Sequence, residues 1–186
     1  MKAIELLEES PVIAAVKNAE GMKRCMESEN RIVFVLNASL CDVSRIVSEI
    51  KRGGKIVMVH VDLVQGLSSK EVAVDFIKDH TEADGIISTK PLLVKRAMEI
   101  GLFGILRTFI IDSMALSATK KQIDMYRPDM VEIMPGIMPS VLKDVREYTR
   151  IPIIAGGLIT NKKEILTAFA AGADAISTTN ESLWFM

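Results

Sequence analysis

The chain has 186 residues, about half of them apolar, with a net charge of −1 and two cysteines. That length suits one domain with a substantial core, and no apolar run reaches the length of a membrane span. The charge balance offers no bulk attraction to nucleic-acid phosphates, and two thiols in an unstapled chain suit a reducing cytoplasm rather than export.

The opening stretch MKAIELLEES mixes charge among its apolar residues and is not a secretory signal. Strand-like runs then recur: 12–16, 32–37, 56–62, 85–89, 103–109, 130–135, 153–157 and 175–180. Most are rich in Val and Ile with little polar alternation, as in strands buried on both faces of a parallel sheet. Between them lie helical patterns. Val43, Ile46, Val47 and Ile50 recur at helical spacing, as do Val141, Leu142 and Val145. Ser68 with Glu71 has the spacing of a capping box, and Asn161 with Glu164 repeats it. KRGGK at 51–55 and AAGADA at 170–175 put glycine just past helix ends.

Eight strands alternating with about seven helices, at about 23 residues per unit, match a compact (β/α)8 TIM-type barrel. Only ESLWFM follows the last strand, so the final helix is truncated to a turn or two. Trp184, Phe185 and Met186 then have two readings, both open here. They close the thinly covered flank of the barrel, or they pack on another subunit of a homo-oligomer. With no linker or low-complexity tract, residues 1–186 read as one barrel domain.

In this architecture ligands sit at the C-terminal ends of the strands. Gly156 and Gly157 stand there, at the end of the seventh strand and just before a helix. Lacking a Cβ, they let backbone N–H groups approach an anion closely. The helix starting near Asn161 adds unpaired N–H groups and the positive end of its dipole. Ser177 and Thr178 end the eighth strand with hydroxyls at the proper distance. These four residues predict a phosphate site, although the glycine pair alone is equally a tight turn.

The other strands close on the same face with Lys17, Asn37, His60, Asp62, Lys90, Arg107 and Glu132. Burying charge on apolar strands is costly unless the groups meet each other or a ligand, so the set reads as ligand-binding. Individually, blander roles stay open: His60 as a core histidine, Asp62 as a turn carboxylate, Glu132 paired with Arg107 across neighbouring strands. His80 reads as a surface residue and the eleven methionines as core filler. Cys25 and Cys41 fall on helical patterns away from the strand ends, which argues against thiol catalysis. Nothing completes a metal-ligand cluster, a nucleophile triad or a P-loop, so no metal, cofactor or catalytic residue is assigned.

Taken together, PVIAAVK, HVDLVQGL, GIISTK, GILRTFIIDS, VEIMPG and IIAGGLIT followed by GADAISTTN resemble the glycerol-3-phosphate-responsive antiterminator family. The resemblance runs from about residue 11 to 180. It implies a regulatory protein with an enzyme-like barrel that binds glycerol 3-phosphate and acts on the leader of a messenger RNA of glycerol-uptake genes. On this chain the phosphate would rest on Gly156, Gly157, Ser177 and Thr178, with the glycerol hydroxyls among His60, Asp62, Arg107 and Glu132. The RNA partner follows from the resemblance alone. No RNA-recognition motif is visible, and the clusters at Lys51-Arg52 with Lys55, Lys95-Arg96, Lys120-Lys121 and Lys162-Lys163 read as solvated helix surface.

The alternative is a small phosphosugar enzyme, an epimerase, aldolase or synthase, on the same phosphate cradle. Schiff-base aldolases resemble this chain near the sixth strand, where they carry lysine before a hydrophobic pair and proline. Glu132 holds that position here, and a carboxylate cannot form an imine. Two forms of this alternative stay open: Lys17 or Lys90 in place of that lysine, and proton transfer with Glu132 or Asp62 as base.

Overall fold

In the computed structural model, which describes residues 3–186, eight parallel strands pair in chain order until the eighth returns to the first. They are β1 (Val12–Val16), β2 (Ile32–Val35), β3 (Ile56–His60), β4 (Gly85–Ser88), β5 (Phe103–Phe109), β6 (Met130–Met134), β7 (Ile153–Gly156) and β8 (Ala175–Thr178). Seven helices link them: α2 (Ala19–Glu27), α3 (Val43–Arg52), α4 (Val72–His80), α5 (Pro91–Glu99), α6 (Ser113–Tyr126), α7 (Pro139–Tyr148) and α8 (Lys162–Ala170). A single 3-10 segment, Glu181–Phe185, follows β8. This is the expected barrel with its shortened last helix. Six strands end one or two residues earlier than their patterns suggested, and the polar residues at 37, 62, 89 and 179–180 drop into the loops above them.

One helix was not anticipated. α1 (Ala3–Glu9) precedes β1 and is built of strong helix formers. Its Leu6 and Leu7 are wholly buried in the cluster formed by the barrel interior, among Ile13, Phe34, Met58, Ile105 and Ile154. The helix thereby plugs the N-terminal end of the barrel. The opposite faces of the same strands, such as Val33, Val57, Val131 and Ile153, meet the helices outside.

Some local readings need correction. Cys41 lies in an exposed turn, because α3 starts only at Val43, where Asp42 accepts from the amide and hydroxyl of Ser39 at 2.6 and 2.7 Å. Ser68 and Glu71 do not form a capping box: α4 begins at Val72, and Ser68 Oγ accepts from Lys70 N instead. Lys55 is no surface lysine. It is buried at the start of β3, where its Nζ donates to the carbonyls of Ser28 and Asn30 at 2.5 and 2.7 Å. The methionines divide: Met58 and Met130 fill the core, while Met114 and Met125 stand in water. His80 is exposed, its ring stacked on Phe76.

Candidate functional site

Side chains on a strand alternate between faces, so residues two apart share the barrel interior. Two positions beyond the apolar Met58, Ile105, Met130, Ile154 and Ala175 stand His60, Arg107, Glu132, Gly156 and Ser177. Within one pleat the interior changes from apolar to polar. Arg107 and Glu132 are register partners on β5 and β6. Arg107 Nε donates to Glu132 Oε2 at 2.5 Å, and Ser177 Oγ donates to Glu132 Oε1 at 2.5 Å. Glu132 is wholly buried, so both its oxygens need such donors. Gly156 makes the room: a Cβ there would stand 2.5 Å from Glu132 Oε1 and 2.7 Å from Ser177 Oγ.

Above this floor opens a cavity of about 330 Å³, lined by Arg107, Glu132 and Ser177 and by the loops after β7 and β8. The β7 loop turns through two left-handed residues, Gly157 at φ 74° and Leu158 at φ 61°. It is then pinned at Thr160, whose amide and hydroxyl donate to Glu164 Oε2 at 2.7 and 3.1 Å. Asn161 caps α8 as anticipated, accepting from Glu164 N at 3.1 Å. On the other side, Thr178 Oγ1 donates to the carbonyl of Ile159 and accepts from the amide of Asn180, tying the two loops together. Trp184 is buried in the 3-10 segment and donates from its ring to the carbonyl of Thr178 at 3.0 Å. The tail therefore closes the flank within the chain at Trp184, and Phe185 and Met186 stay exposed.

None of the remaining anticipated residues lines this cavity. His60 is buried, and its Nδ1 has no hydrogen-bond partner among the described residues. Burial, reinforced by the neighbouring Arg107, pushes its pKa down to about 4, so the ring is neutral at neutral pH. Asp62 leaves the strand for a turn. Burial there works to raise its pKa, but hydrogen bonds from the Thr89 amide and hydroxyl and the Ser88 hydroxyl outweigh it and hold the carboxyl below its usual range. Lys90 Nζ lies 3.7 Å from Asp62 Oδ1. Lys17, Asn37 and Asp62 line a neighbouring groove of about 580 Å³, which shares Leu36 with the main cavity. Leu158, Thr160 and Asn180 also line the main cavity and were not singled out beforehand. Their closeness in sequence to Gly157 and Thr178 was the available signal.

Burial pushes the Cys25 thiol up to about 11 against the opposing pull of Lys55, which leaves it un-nucleophilic. Among the described residues no group of three or more His, Cys, Asp or Glu is placed to hold a metal ion, and no helix is long and apolar enough to cross a membrane.

Residues 12–184 match the family described as glycerol-3-phosphate responsive antiterminator. The chain belongs to that family. An antiterminator regulatory protein of the glycerol uptake operon from Listeria monocytogenes is 34% identical, with a TM-score of 0.90 over 93% of this chain and 94% of that one. An antiterminator-related protein from Thermotoga maritima is 31% identical, with a TM-score of 0.85 over 95% and 99% of the two chains. YgcP of Escherichia coli K12 is 45% identical over 184 residues, 99% of this chain and 96% of its own. Orotidine 5′-phosphate decarboxylase from Pyrococcus horikoshii, 19% identical with a TM-score of 0.70 over 93% and 90% of the two chains, shares the fold alone. In this antiterminator-family chain Glu132 is thus a buried carboxylate bound on both oxygens.

Proposed function

We propose that the chain binds glycerol 3-phosphate in the C-terminal mouth of its barrel and, in the cytoplasm, controls antitermination of glycerol-uptake genes through leader mRNA. The carrying observation is the buried Arg107–Glu132–Ser177 cluster opening on a cavity of about 330 Å³. That volume is at the small end of ligand pockets and fits a compact phosphate ester. The phosphate is received between the Gly156-Gly157 turn and the Ser177–Asn180 segment. Arg107 supplies the counter-charge: it lines the cavity, and its only hydrogen bond among the described residues leaves from Nε, so its terminal nitrogens remain for the phosphate.

Two points favour a sensor over an enzyme. Glu132 cannot supply an imine nitrogen, and its two oxygens are already engaged by Arg107 and Ser177 rather than turned to a substrate proton. Ligand binding instead bridges the loops after β7 and β8, which Thr178 and Trp184 connect to the C-terminal segment. A ligand shifts only the states it binds unequally, so these loops are the element whose positions differ between the two states.

Calorimetry with glycerol 3-phosphate tests the reading. Gly157→Asp places a carboxylate against the phosphate, and binding is expected to disappear. Wild-type affinity in a folded Gly157→Asp protein would refute it. Incubation with dihydroxyacetone phosphate in deuterated water provides the second arm, in which deuterium appearing at carbon would transfer the protein to the enzyme class.

A further inference from the structure

Beside the mouth lies a separate cleft of about 400 Å³, set between the connection from β1 to α2 and the connection from β2 to α3. We infer that this cleft takes one nucleotide of a single-stranded RNA, an assignment that rests on the RNA reading above. Its floor is apolar: Val16, Val35 and Ala38 are buried beneath it, and Met22 and Ile46 form half-buried walls. Its rim is polar and exposed, with the carboxamides of Asn18, Asn37 and Gln65, the cation of Lys17 and that of Arg45, which is paired with Glu49 at 2.8 Å.

A nucleotide has the complementary profile. The base is flat and apolar on its faces, hydrogen-bonding at its edge, and joined to an anionic phosphate. The side-chain amide of Gln65 and the remaining donors of Asn18 and Asn37 match the edge, since Asn18 Oδ1 already accepts from Gly21 N and Asn37 Nδ2 already donates to Lys17 O. Lys17 makes no ion pair among the described residues, so its charge is available to the phosphate. Asp42 also lines the cleft, but its Oδ1 is held by the amide and hydroxyl of Ser39. No aromatic side chain lines the cleft, so the base lies on Met22 and Ile46, and selectivity comes from its edge.

The cleft is joined to the mouth by shared walls. Lys17, Asn37 and Gln65 line both the cleft and the intervening groove, and Leu36 lines both the groove and the main cavity. The ends of β1 and β2 are clamped together by Leu36 N donating to Val16 O at 2.9 Å and Asn37 Nδ2 donating to Lys17 O at 3.3 Å. Displacement of Leu36 by a ligand in the mouth therefore moves the Lys17 and Asn37 side of the cleft. Glycerol 3-phosphate then changes RNA affinity, by about fivefold or more if the coupling is of ordinary size.

The test uses the full chain and a labelled random-sequence single-stranded RNA of about ten nucleotides, read by fluorescence anisotropy with and without glycerol 3-phosphate. Arg45→Glu is expected to weaken RNA binding by about tenfold and to lower the slope of log affinity against log salt by about 0.7. Gln65→Ala is expected to weaken it severalfold. Both should keep wild-type affinity for glycerol 3-phosphate in calorimetry. Ala19→Trp, which fills the cleft from the start of α2 without changing charge, should reproduce the loss and guards against misfolding of a charge reversal. If wild type, Arg45→Glu and Ala19→Trp bind RNA alike, the cleft assignment is overturned while the RNA reading stands. If wild type retains no RNA in either condition, both are overturned.

Discussion

The two ends of the barrel are built from the same eight strands and have opposite chemistry. At the N-terminal end α1 lays Leu6 and Leu7 onto an apolar interior layer and shuts the barrel. At the C-terminal end the next inward layer carries His60, Arg107, Glu132 and Ser177. Large apolar side chains even stand in water around that rim, with Ile111 84%, Met114 79% and Leu158 66% exposed. One end contributes stability and the other gives up part of it to keep a polar opening. The division follows from strand periodicity: a single step of two residues decides which end a side chain serves.

That contrast can be broken or sharpened experimentally. Glu132→Ala leaves Arg107 buried without its partner and is expected to cost about 3–5 kcal/mol in urea unfolding, along with glycerol 3-phosphate binding. Leu7→Ala hollows the closed end and should cost about 3 kcal/mol, yet leave the affinity for glycerol 3-phosphate unchanged. Equal effects of these two changes on binding would erase the distinction between the ends.

Acid should attack the open end. The folded His60 has its pKa pushed down from 6.5 to about 4. The unfolded chain therefore takes up a proton below pH 6.5 that the folded chain refuses until about pH 4, and stability falls across that window. The loss approaches about 3 kcal/mol, and His60→Gln should flatten this part of the stability profile. The smallest effect belongs to the loop support. Asn161→Ala removes the α8 cap and should cost about 1 kcal/mol in thermal unfolding, with a modest loss of affinity because Thr160 and Glu164 lose their fixed frame.

Much of this was legible in the chain. Val- and Ile-rich runs at even spacing announce the barrel, and the pairing of Arg107 with Glu132 was among the open readings because both stand near the ends of neighbouring strands. α1 escaped notice because seven residues give a weak periodic signal and its partner, the barrel floor, exists only after closure. Strand ends were placed too late because a polar residue after an apolar run looks the same in the ladder or just above it. The place of Ser177 beside Glu132 and the Cβ-free gap at Gly156 depend on which residues three neighbouring strands bring level, and no local pattern states that.

Trp184 is the only tryptophan in the chain, and its ring N–H is tethered to the carbonyl of Thr178 at the edge of the mouth. Indole emission shifts with the polarity and hydrogen bonding around the ring. The molecule thus carries an intrinsic optical gauge at the strand end where its two terminal loops meet, legible in dilute solution without any label.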